Sequence, residues 1–328
     1  MKFSQLSSHS NLPVLLTPSN NQAADQQELF GWFSNNRSLI DQHLHQAGAI
    51  LLRGFNILDP EYFRSVAASI CPNLRNYTGG DSPRNNVVDK VYTSTEYPAH
   101  LEVLLHNELS YAGWFPETVI FGCIQASETG GETQIADGRI IYQEMDPKIK
   151  QRFESRGVTY LQHLWDQQGE PGVGKSWQQT FESTDKSEVE NYLNQSDMKF
   201  QWTSLGLRTA ATKAAVRIHP KTGEKCWHNQ ADQWHRAMDS VKDSVSGKDN
   251  GDTRCKSSAG EETLGNHVTY GDGSAIDTLD LIQIRQTSKQ NEVLFPWQPG
   301  DVMILDNILT MHGRKPFTGD RHVIVAMA

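Results

Sequence analysis

Four short apolar runs constrain this chain more than any other feature. They lie in GAILLRGF (Gly48 to Phe55), TVIFGCIQ (Thr118 to Gln125), GDVMILDN (Gly300 to Asn307) and the terminal RHVIVAMA (Arg321 to Ala328). Each is too short for a buried helix and is flanked by Gly or polar residues, so each reads as a buried strand. No regular alternation of helical patterns separates them, which argues against a doubly wound parallel sheet. The mixture points to an antiparallel β core carrying helices on its outside.

The helical segments are fewer. From Gln26 to Gln46, Leu29, Phe30, Phe33, Leu39, Ile40 and Leu44 recur at steps of three and four, predicting a helix. In DPEYFRSVAASI, Asp59 is an N-cap with Pro60 at the first helical position. DGRIIYQEMDPKIKQRFESRG reads as helix as far as Gly157. Residues 1–25, rich in Ser, Asn and Gln, are expected to form a loose leader, and 26–328 one domain. The Gly- and Pro-punctuated stretch between Asn76 and His100 reads as loop. Residues 240–262 read as a polar surface insertion, and the Gly- and Trp-rich segment 165–184 as a lid.

The balance of 30 basic against 39 acidic residues gives a formal charge of −9, with no basic run, so nucleic acid and anionic membrane surfaces are not expected partners. No window reaches the roughly 18 apolar residues of a membrane span. Cys71, Cys123, Cys226 and Cys255 stand far apart without a CxxC pair and read as reduced thiols of a cytoplasmic protein.

Chemistry concentrates in LLHNELSY (Leu104 to Tyr111). On an extended strand, His106 and Glu108 point to the same face. Such a pair either satisfies itself or holds something between its members. With a distant His312, it supplies two imidazoles and one carboxylate. That set can bind one face of an octahedral metal and leave three positions open, and zinc accepts it too. Taken singly, His312 reads as a turn histidine, Arg321 as a partner for Asp320 or Asp306, and Thr133 as an ordinary strand residue.

The joint pattern is more specific. HNELSY, ASETGGETQIAD and DNILTMHGRKPFTGDR resemble, in order, the motifs of the taurine dioxygenase/TfdA superfamily. GAILLRGF, GGDSPRNNV, VYTSTEYPAH, IHPKTGEKCWHNQ, YGDGSAI and VIVAMA extend the likeness from about Gly48 to the end. The Glu of HNELSY is similar to the clavaminate-synthase-like branch, whose His-x-Glu replaces the His-x-Asp of other members; syringomycin-type amino-acid hydroxylases share several of these motifs. The resemblance implies a double-stranded β-helix (jelly roll) of mainly β, α+β class. It implies a non-haem oxygenase using Fe(II), 2-oxoglutarate and O2, with His106, Glu108 and His312 as iron ligands. It further implies that Thr133 and Arg321 bind 2-oxoglutarate. Arg suits that role because a guanidinium meets a carboxylate with two parallel hydrogen bonds.

The implied substrate is amino-acid-like, free or tethered to a carrier protein, and the implied outcome is hydroxylation of an unactivated C–H bond in natural-product biosynthesis. Desaturation or ring formation with the same cofactors, a binding protein on a decayed oxygenase fold, and a zinc hydrolase are the rival readings. A decayed site would be free to lose at least one member of the triad, Thr133 or Arg321, and a zinc hydrolase leaves Thr133 and Arg321 without a role. Arg84, Asn107, Arg208 and Asn229 are candidate substrate contacts. His228 and His235, two helical turns apart in HNQADQWH, form a competing cluster without a suitably spaced carboxylate.

Overall fold

The structure, a computed structural model, describes residues 1–7, 10–19, 26–169, 172, 174–238 and 265–328. The segment 240–262 and the junction at 20–25 lie outside the described residues.

An eight-stranded sheet forms the backbone of the molecule. Its strand order is Lys2–Ser7, Ser10–Thr17, Ala49–Leu52, Val302–Asp306, Thr118–Gln125, His322–Met327, Val91–Thr93 and Asn86–Val88. All pairings are antiparallel except that of Ser10–Thr17 with Ala49–Leu52. The four apolar runs thus become its four central strands. Their continuous hydrophobicity has a direct cause, because both faces are covered. Ala49, Leu51, Val119, Phe121, Met303, Leu305, Val323 and Val325 face one core. The intervening Ile50, Leu52, Ile120, Val302, Ile304, Ile324 and Ala326 face another, formed with the three helices Gln26–Asn35, Arg37–Ala47 and Pro60–Ile70. Period-two alternation of side chains carries the strands into both cores at once. Gly122 sits where the Phe63 ring meets the sheet. A Cβ there would lie 2.4 Å from Phe63 Cδ2, so the missing side chain is what admits the helix.

Opposite the first core lies a three-stranded sheet, Val103–His106, Thr310–Arg314 and Ile135–Asp137, in which His312 is registered against His106. A four-stranded sheet (Lys199–Thr203, Gly206–Lys213, Val158–Trp165, His267–Tyr270) extends one wall. The helices Trp177–Phe181 and Lys186–Gln195 pack on it through Trp177, Phe181, Val189 and Leu193. The arrangement is the jelly-roll core with outer helices expected from the sequence.

Several local expectations need correction. The supposed loose leader contributes the two outermost strands on one side of the sheet, with Leu12 and Leu16 buried and Lys2, Gln5 and Asn11 exposed. The helix expected from Gln26 to Gln46 is broken at Asn36, whose side-chain amide donates to Trp32 O at 2.9 Å. The helix expected up to Gly157 is two helices, Gly138–Glu144 and Pro147–Arg156. Asp146 caps the second by accepting from Lys148 and Ile149 N–H, and Pro147 has no N–H to continue the first. The loop expected between Asn76 and His100 contains two short strands, Val91–Thr93 inside the sheet and Asn86–Val88 at its edge.

Candidate metal and cosubstrate site

His106 ends its strand and Glu108 lies just beyond it, in a turn where Leu109 has φ of 54°. The two side chains do not converge by strand alternation, as expected, but through a turn that Asn307 holds. Asn307 Oδ1 accepts from Glu108 N–H at 2.8 Å, and its amide donates to Glu108 O at 3.0 Å and Pro116 O at 2.8 Å. The Asn107 amide donates to Asn307 O at 2.7 Å, which ties the same turn from the other side. The strand Thr310–Arg314 brings His312 across, with its ring centroid 4.5 Å from that of His106 and its Nε2 3.4 Å from Glu108 Oε2.

One donor atom from each of His106, Glu108 and His312 falls within 4.8 Å of the others. Protonation suits a divalent cation. His106 Nδ1 lies 2.8 Å from Leu104 O, an acceptor only, so Nδ1 carries the proton and Nε2 keeps its lone pair. Burial, reinforced by His312, lowers the His106 pKa to about 4. Burial alone would raise the Glu108 carboxyl. Arg84, at 2.7 Å, and the His312 ring outweigh it and hold the group well below the usual carboxylate range. The set is therefore a neutral imidazole and an ionised carboxylate beside a second imidazole, the charge state in which such residues bind metals.

A cavity of about 40 Å³ joins His106 and His312 to Thr133, Arg314 and Arg321. Thr133 Oγ1 accepts from Trp297 Nε1 at 3.0 Å, so its own proton remains to be donated. Arg321 donates through Nε to Gly131 O at 3.0 Å and through Nη1 to Ser94 Oγ at 3.3 Å. Among the described residues no carboxylate forms an ion pair with it; neither Asp320 nor Asp306 does. Burial, with Arg314 nearby, lowers its pKa to about 10, so it stays cationic at neutral pH. Arg314 holds the loop beside the site by donating to Tyr97, Pro98 and Leu101 carbonyls at 2.7 to 2.8 Å.

On the other side of the ligands opens a cavity of about 640 Å³, lined among others by Tyr77, Asp81, Tyr111, Lys175, Gln230 and Trp234. Of the four candidate substrate contacts, only Arg84 reaches either cavity, lining the smaller one while bound to Glu108. Arg208 lies on the Gly206–Lys213 strand opposite His163 and Gln201 and lines neither. Asn229 spends its amide on Ala215 O and its carbonyl on Ala231 N–H. Asn107 is likewise occupied by backbone. Gln230 lines the large cavity while donating to Asn107 O and Ser110 Oγ. Lys175 and Asp81 escape sequence reasoning because only the tertiary approach of the 165–184 segment to the GGDSPR loop makes them neighbours. The glycines at 79 and 80 were the available signal.

A second group, His45, His219 and Asp306, also has donors within 4.8 Å. It is satisfied internally. His219 Nδ1 accepts from Thr222 N–H at 3.0 Å, which places the ring proton on Nε2, where it is donated to Asp306 at 2.9 Å. The other Asp306 oxygen accepts from Ile308 and Leu309 N–H, both at 3.0 Å. His228 and His235 do not share a face, since the helix between them is only Ala231–Trp234; His228 takes a hydrogen bond from Arg217.

Residues 16–327 match the model of the taurine catabolism dioxygenase TauD, TfdA family. The chain is 34% identical over 289 residues to the dapdiamide synthesis protein DdaC of Enterobacter agglomerans, covering 88% of this chain and 84% of that one. It is 28% identical over 294 residues to a clavaminate synthase-like protein of Arabidopsis thaliana, covering 88% and 83%. Among solved structures, PvcB of Pseudomonas aeruginosa superposes with a TM-score of 0.55 at 16% identity, covering 99% of this chain and 90% of that one. PvcB is described as an Fe, alpha-ketoglutarate dependent oxygenase from an isonitrile synthetic pathway, and the likeness at this identity is one of fold.

Proposed function

The chain belongs to the TauD, TfdA family and is a non-haem Fe(II)- and 2-oxoglutarate-dependent dioxygenase; with that as premise, we propose that it hydroxylates an unactivated C–H bond of an amino-acid-like substrate. His106, Glu108 and His312 hold the iron, and Arg321 and Thr133 hold 2-oxoglutarate. The observation that carries this reading is the pairing of a converged donor set with an arginine that has no carboxylate partner among the described residues, in one small cavity. When bound, the iron and 2-oxoglutarate supply the oxidising chemistry, consuming O2 and releasing succinate and carbon dioxide.

The protein's part is positional. Arg321 offers a guanidinium to the far carboxylate of 2-oxoglutarate, and Thr133 adds a hydroxyl donor at the same end. Glu108 is held ionised by Arg84, and His106 is oriented by the Leu104 carbonyl. The substrate occupies the larger cavity, with the segment from Trp165 to Phe181 as its cover, anchored by the Ser176 capping box and by Trp177. DdaC is named for dapdiamide synthesis, which supports a biosynthetic role for this chain. Among the described residues no helix is long and apolar enough to cross a membrane.

Anaerobic titration with Fe(II) and 2-oxoglutarate is expected to develop a visible charge-transfer band. Its absence from fully reconstituted protein overturns the assignment.

A further inference from the structure

Two opposite charges line the large cavity without an ion partner among the described residues. Lys175 Nζ donates to Gly80 O at 2.8 Å and stands 5.4 Å from the Tyr77 ring centre. Its ammonium is half-buried, and desolvation lowers its pKa to about 8 even though Asp81 and Glu182 act to raise it. Asp81, two residues along from Gly79, has its N–H fixed by the Tyr111 hydroxyl at 2.7 Å. Its carboxylate forms no ion pair among the described residues, although it lies near enough to Lys175 to act on its charge. The other charges of the cavity and its floor are already matched: Glu102 with Lys315 at 2.8 Å, and Glu108 with Arg84 at 2.7 Å.

A partly desolvated cation and an anion that face one space but do not touch are costly unless a ligand completes both. The complementary ligand carries a carboxylate and an ammonium a few ångströms apart, which is the head of a free α-amino acid. We propose that Lys175 and Asp81 form a zwitterion clamp, with Lys175 taking the α-carboxylate and Asp81 the α-ammonium, so that the substrate is a free amino acid rather than a carrier-bound aminoacyl group. The proposal rests on the oxygenase reading above and narrows its substrate class. A thioester has no carboxylate to give Lys175, so a carrier-bound substrate would leave that ammonium desolvated and unmatched. The polar side chains of Gln179, Gln230 and Gln233 line the rest of the cavity, together with the aromatic face of Trp234, and receive the side chain.

The test is a panel of the common free L-amino acids, each with its methyl ester and its N-acetyl derivative, and a carrier protein loaded with the same aminoacyl groups. Succinate release is measured with the reconstituted enzyme, and binding by calorimetry without O2. The clamp requires that at least one free amino acid trigger succinate release. Its ester and N-acetyl form should bind about tenfold or more weakly, the scale of one lost charge-assisted contact. Lys175→Met should raise KM for the free acid about tenfold with a smaller change in kcat, and abolish the preference over the ester. Asp81→Asn should abolish the preference over the N-acetyl form, and Lys175→Arg should restore part of the binding. Thermal melting establishes that each variant is folded.

The clamp is overturned if only carrier-loaded groups, or no member of the panel, trigger succinate release. It is equally overturned if folded Lys175→Met weakens acid and ester alike. These failures differ from failure of the oxygenase reading, which would show as a missing charge-transfer band in the unsubstituted protein.

Discussion

Glu108 keeps its charge in a site that is almost wholly sealed, and its neighbours set the consequences of changing it. Arg84 is buried with it, and its Nε and Nη1 have no hydrogen-bond partner among the described residues. Glu108→Ala removes the one anionic donor and strands that guanidinium. The expected result is loss of Fe(II) binding, seen as loss of the charge-transfer band, and a fall in stability of about 3–5 kcal/mol in urea unfolding. Arg321→Ala acts differently, because Arg321 hydrogen-bonds to Gly131 O and Ser94 Oγ and not to the imidazoles or Glu108. Iron binding should persist while KM for 2-oxoglutarate rises about 30- to 100-fold, equivalent to about 2–3 kcal/mol of charge-assisted hydrogen bonding. Equal effects of the two changes on both ligands would refute separate roles. At this scale, the five residues singled out by motif are gathered in one region of the structure. The substrate contacts were less legible. Arg208 and Asn107 stand out in the sequence by polar chemistry and Asn229 by the place of its segment in the family resemblance, but backbone partners or strand position turn all three to other uses.

Among the elements, legibility followed burial. Strands such as Ala49–Leu52 and Val302–Asp306 are written in unbroken apolar residues because both faces are covered. The outer strands Lys2–Ser7, Ser10–Thr17 and Asn86–Val88 carry polar residues, and Val91–Thr93 has only three residues inside a polar stretch, so composition alone made them look like loop. The Val216–Ile218/Lys225–Trp227 hairpin shows what a hydrogen bond between elements can do without a metal. Its turn carries His219, directly after Ile218, whose ring reaches Asp306 at the end of a central strand. His219→Ala should leave the buried Asp306 oxygen without that donor and cost about 1–3 kcal/mol. Metal analysis of the purified protein should still find one iron per chain. A loss of a second equivalent of metal in this variant would mark the His45, His219 and Asp306 group as a real site.

Over the whole molecule, position in the sheet decides tolerance to truncation. Removing residues 1–7 takes away one edge strand, and the shortened protein is expected to fold with a modestly lower urea midpoint. Removing residues 322–328 deletes a strand held between Thr118–Gln125 and Val91–Thr93, with Val323, Ile324, Val325 and Met327 all buried. Those four side chains represent on the order of 6–12 kcal/mol of burial, comparable with the whole net stability of a domain, about 5–15 kcal/mol. This variant should be insoluble or lack a cooperative transition, and a soluble, cooperatively melting product would refute the argument. The same central strands have a consequence for synthesis. Two of the innermost positions in the sheet, and the second imidazole of the donor set, are supplied by residues after 300. While a ribosome is still translating that stretch, the strands made earlier have a gap at their middle and no closed metal pocket. The donor set therefore cannot close before residue 312 has been made, and a nascent chain stalled short of it would expose apolar strand edges to whatever chaperones attend it.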